Sequence, residues 1–163
     1  MHIMETQLIY IQESVAAKET AQAYISRCQD VRRSVFVEGQ GVAEEIDFDG
    51  KDVSCAHLLL LLEGEAAGTL RIRRTEEGTK LERIAVLEKH RGKQFGKLLV
   101  ESALALVSGR IYIHAQTRIA SFYEKLGFKI EDPSIYYEAD IPHVTMIWPK
   151  GPGVSQCSII TLS

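Results

Sequence analysis

Leu81 to Lys97, LERIAVLEKHRGKQFGK, is the stretch whose residue types and spacing could do chemistry. Leu81-Glu82-Arg83-Ile84-Ala85-Val86 alternates and then runs apolar, the pattern of a strand entering a buried sheet. A basic, glycine-containing turn follows: Lys89, His90, Arg91, Gly92, Lys93, then Gly96 and Lys97. Phe95, Leu98, Leu99, Ser102, Ala103, Leu106 and Val107 recur at helical spacing, which predicts a helix beginning near Gln94 or Phe95 and running to Ser108. Strand, glycine-bearing turn and helix start make an anion site, because free N–H groups and the positive end of the helix dipole face one point. Lys93 and Lys97 stand where that dipole disfavours cations by roughly 0.3–1 kcal/mol each. A bound anion such as a pyrophosphate would offset that cost. Charge by itself leaves a solvated basic turn open as the alternative.

Two phosphate-binding patterns do not fit. The P-loop requires G-x-x-x-x-G-K-[ST], which the residues after Gly92 and Gly96 do not supply. The dinucleotide fingerprint requires three glycines, and only Gly92 and Gly96 are present. Arg91-Gly92-Lys93-Gln94-Phe95-Gly96 instead resembles the acetyl-CoA pyrophosphate loop of the GNAT N-acetyltransferases, [QR]-x-x-G-x-[GA], with Gln94 in place of the usual first glycine. Farther on, Ala115-Gln116 through Phe122-Tyr123-Glu124-Lys125-Leu126-Gly127-Phe128 resembles the FYEKLGF signature of the same family. Gln116 holds the place where many members have an Asn that binds the CoA arm. Val35-Phe36-Val37, Gln40-Gly41-Val42, Glu45, Asp47, Ala56-His57-Leu58 and Ile141-Pro142-His143 resemble the small bacterial subgroup related to the YjcF and ElaA proteins. That subgroup usually has Glu directly before the Gln; this chain has Gly39 there, with Glu38 one place earlier.

The resemblance implies a GNAT acyl-CoA N-acyltransferase fold of α/β (α+β) type, with a mixed, mostly antiparallel, splayed sheet flanked by helices. It implies acetyl-CoA as cosubstrate and direct attack of a small-molecule primary amine on the thioester. Ile84-Ala85-Val86 would lie along the pantetheine arm through their main chain, after a bulge in the strand. Arg91 to Lys97 would hold the pyrophosphate, and Gln116 and Tyr123 would touch the CoA. Tyr123 would place a hydroxyl near the thioester sulfur, where a phenol of pKa ~10 can protonate a thiolate of pKa about 8.5; the alternative is an aromatic on the core stripe. Glu82 would be the general base, or else an exposed strand carboxylate paired with Arg71 or Arg73. His143 and Glu45 are further candidates for the acceptor site. A non-catalytic CoA-binding or regulatory GNAT-like domain remains the other functional reading.

The composition bounds the rest. A chain of 163 residues fits one domain, assigned to 1–150 with a tail of open structure at 151–163. A net charge of −3 provides no dominant basic face and argues against nucleic acid as a partner. Cys28, Cys55 and Cys157 show no paired spacing, which points to reduced thiols and a cytoplasmic location. Met1 to Glu13 lacks the basic start and apolar core of a signal peptide. Leu58–Leu62 is too short to span a bilayer, so no membrane is expected. No metal-ligand spacing occurs. A homodimer is one assembly compatible with the family.

The positioning elements follow in chain order. Leu8–Ile11 reads as a strand, and Lys18 to Val35 as a helix capped weakly by Ser14, broken by Phe36–Val42. The loop from Glu38 to Asp52 holds Glu38, Glu44, Glu45, Asp47, Asp49 and Asp52 against Lys51 alone. It predicts either a solvated loop or an acidic wall that would favour a small cationic amine. His57–Leu62, Ala67–Arg73 and the Leu81 strand read as an antiparallel meander, with His57 structural. Ile111–Ala115 should run parallel to the Leu81 strand after the crossover helix. A short helix through Tyr123, then Phe128–Ile130, a turn at Asp132-Pro133 and a strand at His143–Trp148 complete the domain. The tail, with Ser-Ile-Ile-Thr-Leu, suits either an added strand or a disordered end.

Overall fold

The computed structural model describes residues 4–163. In chain order it has β1 (Thr6–Ile11), α1 (Glu19–Arg32), a short α2 (Glu44–Asp47), β2 (Ala56–Leu62), β3 (Glu65–Thr75) and β4 (Gly78–Val86). There follow α3 (Phe95–Leu106), β5 (Ile111–Gln116), α4 (Ala120–Leu126), β6 (Lys129–Glu138), β7 (Ile141–Ile147) and β8 (Ile159–Leu162). The strands form one open, mixed sheet in the order β6-β7-β5-β4-β3-β2-β1-β8.

The leucine run of β2 shows why the sheet sits between helices. Leu59 and Leu61 point to one face, with Ile9 and Ile11, and pack against Ala21, Ile25 and Cys28 of α1. Leu58, Leu60 and Leu62 point to the other, against Leu99, Val100, Ala103 and Leu104 of α3. A strand apolar at every position is one buried on both faces. The meander β2-β3-β4 forms as the sequence predicts, with the first turn at Glu63-Gly64, both at positive φ. β4 and β5 run parallel through the α3 crossover.

Four local expectations change. The first helix does not break at Phe36: it widens into a π-helix at Arg33–Glu38 and turns only at Gly41 (φ 69), where the Val42 N–H donates back to the Phe36 carbonyl at 2.9 Å. Gly39 keeps helical angles, so the first glycine is no stop signal. Ser14 lies in a separate 3-10 turn, and α1 begins after Lys18 without a side-chain cap. The expected turn at Asp132-Pro133 is an irregular part of β6, and the hairpin instead turns at Ala139-Asp140 (φ 50 and 61). Pro133 is tolerated because β6 is an edge strand, where a missing N–H costs no ladder bond. The tail adds β8, parallel to β1.

Candidate active site

β4 and β5 pair only at Thr79↔Ile111 and Lys80↔Tyr112. Beyond Lys80 they separate, and the edge of β4 that faces β5 has no strand partner. A cavity of about 370 Å³ fills the gap. Its lining includes Glu82 to Val86 from β4, His114 and Gln116 from β5, Tyr123 from α4, and Val35, Phe36 and Gln40 from the widened end of the first helix.

Past the point of separation, β4 carries a bulge against β3. Thr69 of β3 faces Ala85 and Arg71 faces Glu82, so Arg83 and Ile84 together oppose Leu70. Arg83 takes the extra turn with φ 53, a conformation that costs a non-glycine residue about 1–2 kcal/mol. Ion pairs hold it there: Nε lies 3.0 Å from Asp47 and Nη2 3.3 Å from Asp49. Strand alternation would send Arg83 to the face opposite Glu82. The bulge brings both to the same cluster of charges.

Arg71 is the centre of that cluster. Fully buried, it donates from Nε to Glu82 at 2.7 Å, from Nη1 to Asp52 at 2.9 Å and from Nη2 to Asp49 at 2.7 Å. Arg32 reaches Asp47 at 3.1 Å and Asp52 at 2.8 Å. Arg73 and Lys80 approach Glu82 at 3.0 and 3.3 Å. Burial alone would raise the Glu82 carboxyl, but hydrogen bonds from Arg73 and the charges of Arg71, Lys80 and Arg83 outweigh it and hold it at about 2. Asp52, also raised by burial, is likewise held at about 2 by Arg32, Gln29 and Arg71. A carboxylate so held is a weak base at neutral pH. Glu82 is thus the strand carboxylate paired with Arg71 and Arg73, buried rather than exposed, and it anchors β4.

The acidic loop is largely consumed in the same way. Asp47, Asp49 and Asp52 pair with Arg32, Arg71 and Arg83, and Glu44 with Arg33. Glu45 is exposed on α2 and does not line the cavity. The charge pattern that favoured a cationic acceptor loses its basis. His57 is fully buried with Nε2 2.8 Å from the Asp52 carbonyl, a structural role.

At the other end, the loop after β4 arrives at the start of α3. Gln94 precedes the helix with φ 65 and ψ 22, and no side chain caps the first turn. That left-handed conformation explains why glycine is usual at this place in the motif. The first N–H groups of α3 are free of side-chain caps beside Lys93 and Lys97, the arrangement that binds anions. A Cβ on Gly96 would stand 3.4 Å from the Phe122 ring. Arg91 is turned back, with Nε on the Val86 carbonyl at 3.0 Å, and closes the loop onto β4.

Tyr123 is buried against Phe122 and Phe128, with ring centroids 5.1 and 5.9 Å away, and it borders the cavity. One edge packs, as in the core reading, while the hydroxyl has no hydrogen-bond partner among the described residues. Burial pushes its pKa well above the usual phenol value, so it stays protonated at neutral pH. Gln116 gives its Nε2 to Gln40 at 3.0 Å and accepts from Arg118 at 3.0 Å, which ties β5 to the helical segment across the cleft.

Sequence reasoning missed His114 and Glu138. His114 Nδ1 lies 2.8 Å from Glu138 Oε1, and His143 Nε2 lies 3.8 Å from the other carboxylate oxygen. All three line the cavity. The available signal was Tyr136-Tyr137-Glu138, strand-like residues running to the real hairpin turn, which would have placed Glu138 opposite Ile141 and near His143.

Residues 54–130 match the family model described as an acetyltransferase (GNAT) domain. YyaT, an uncharacterized protein of Bacillus subtilis, is 35% identical over 134 residues, 78% of this chain and 90% of its own. YjcF of the same organism, an uncharacterized N-acetyltransferase, is 31% identical over 121 residues, 72% and 86% of the two chains. The crystal structure of Escherichia coli ElaA aligns with a TM-score of 0.75 at 26% identity, covering 89% of this chain and 99% of that one.

Proposed function

The chain belongs to the GNAT acetyltransferases, and from that premise we propose that it transfers the acetyl group of acetyl-CoA to a primary amine of a small molecule by direct attack. The observation that carries this reading is the early parting of β4 and β5, two residue pairs into their contact, beside an uncapped helix start. The free edge of Ile84-Ala85-Val86 suits a pantetheine arm, whose amides can pair with main-chain groups as a strand would. The loop Arg91-Gly92-Lys93-Gln94-Phe95-Gly96-Lys97 suits a pyrophosphate, bound by N–H groups of the first turn with Lys93 and Lys97 adding charge. Gln116 borders the arm and would exchange its bond to Gln40 for one to CoA.

Catalysis then needs few groups. An amine attacks the thioester carbon, an oxyanion forms, and a thiolate leaves. Tyr123, protonated and without another partner, is the donor to that thiolate. Glu82 contributes by holding the bulge. A CoA-binding domain without turnover is the second reading, favoured by the neutralised Glu82 and by a non-glycine at Gln94.

Calorimetric titration with acetyl-CoA, followed by release of CoA thiol across a panel of amines, tests both. Gly96→Leu should abolish measurable acetyl-CoA binding, since its side chain meets Phe122 on one side and the pyrophosphate space on the other. Binding equal to wild type in that variant would exclude the loop as the site. Binding without thiol release from any amine would establish the second reading.

A further inference from the structure

Across the cleft from β4, the imidazole–carboxylate cluster of His114 and Glu138 has no part in the roles above. We propose that His114, oriented by Glu138, is the catalytic base that takes the proton from the acceptor ammonium; the inference rests on the acetyl-transfer reading.

The geometry is that of an oriented base. His114 stands on β5 two residues beyond the last pair with β4, where the cleft has opened. Its Nδ1 lies 2.8 Å from Glu138 Oε1, so the N–H donates to the carboxylate. That bond leaves the lone pair on Nε2, the relation by which a third group sets the tautomer of a catalytic histidine. Nε2 has no hydrogen-bond partner among the described residues, and the residue lines the cavity. The ring is also held by packing, edge-on to Tyr136 with centroids 5.2 Å apart and tilted against Tyr112 at 5.6 Å.

The neighbours separate this histidine from the other. His143 donates its Nδ1–H to the Ile141 carbonyl at 2.7 Å, and its Nε2 faces Glu138 at 3.8 Å. With Nδ1 bonded to that carbonyl and Nε2 directed at the Glu138 carboxylate, His143 presents no oriented lone pair to an acceptor amine. The charged and titratable groups around His114 are Glu138 and Tyr136 from β6, His143 from β7, Tyr112 on β5, and Lys80 and Glu82 from β4. Glu82 is held by Arg71, Arg73 and Lys80 and is out of competition. Glu138 has no arginine on it. Its partner is an imidazole, the side chain that exchanges protons near neutrality.

The steps balance. The ammonium gives one proton to Nε2, and the free amine forms the N–C bond at the thioester carbon. The C–S bond breaks, the thiolate takes a proton from Tyr123, and the amide nitrogen's surplus proton restores the phenol. Amide and CoA thiol leave, and the imidazolium releases its proton to solvent.

The test compares wild type, His114→Gln and Glu138→Gln, with thiol release followed from about pH 6 to about pH 10 on the fastest amine. Acetyl-CoA affinity, measured in parallel, reports fold and donor site. His114→Gln should bind acetyl-CoA as wild type does, turn over about 10²-fold more slowly below the amine's own pKa, and recover as the amine deprotonates in solution. Glu138→Gln should lose less, because Nε2 keeps its lone pair while the ring loses its orienting partner. A merely structural role would lower the rate equally at every pH, and that result overturns the proposal, as does an unchanged profile. Wild type that acetylates no amine would instead overturn the transfer reading, and the base with it.

Discussion

The two edges of β4 behave oppositely although one strand supplies both. Toward β3 it pairs from Gly78 to Val86 and is pinned by the buried Arg71 on Glu82 and by the buried Asp47 on Arg83. Toward β5 it pairs twice and then faces a cavity. A strand released on one edge loses ladder hydrogen bonds worth about 0.5–1.5 kcal/mol each and must be held by something else. The charge cluster supplies that hold. Buried ion pairs add little net stability over apolar packing, but removing one partner leaves a charge uncompensated and costs about 3–5 kcal/mol. The difference between the edges is thus one of rigidity on the β3 side and access on the β5 side.

The largest effect should come from cutting the hold itself. Arg71→Met strips Glu82, Asp49 and Asp52 of their shared partner and should cost about 3–5 kcal/mol, read from the urea midpoint. The same cluster sets the acid limit. Glu82 and Asp52 fall from ordinary values of 4.5 and 3.8 to about 2, so their stabilisation is complete above ~pH 5 and lost as pH falls toward 2. Urea midpoints across that window should drop in the parent and drop less in Arg71→Met. Equal acid sensitivity in the two would mean that the cluster is not what pins β4.

On the open edge the next effect is chemical. Tyr123→Phe keeps the ring against Phe122 and Phe128 and removes only the unpaired hydroxyl. Turnover should fall about 10²-fold, or about 2.7 kcal/mol of barrier, with acetyl-CoA affinity and the urea midpoint unchanged. A rate equal to the parent would return Tyr123 to the core alone. The smallest effect is expected at the mouth of the cleft. Gln94→Gly relieves a left-handed residue and should raise stability by up to ~1 kcal/mol while tightening acetyl-CoA binding. Weaker binding in that variant would assign the Gln94 side chain a contact of its own.

Much of the β4–loop–α3 end of the cavity was legible before any coordinates. The strand, the loop and the start of α3 lie within seventeen consecutive residues, and hydrophobic periodicity reports such local order directly. Tyr123 was legible for the same reason, on a short amphipathic helix. The end that holds Glu82, His114 and Glu138 was not. Glu82 read equally as a base and as an exposed carboxylate paired with Arg71 or Arg73, because strand alternation assumes a regular ladder and the bulge at Arg83 arises from register with β3. His114 and Glu138 are 24 residues apart and meet only because β5, β7 and β6 pair in that order.

The sequence by itself determined the continuous apolar run that buries β2 between two helical layers, the β4–loop–α3 order and the motif residues around Gly96 and Tyr123. Each depends on neighbours within a turn or a strand. Tertiary structure alone decided which carboxylates are spent and which remain. Asp47, Asp49 and Asp52 read as one acidic loop until Arg32 and Arg71, brought in from α1 and β3, claim them. Charge is additive along a chain, but a free charge depends on its partners, and those come from strands and helices distant in sequence.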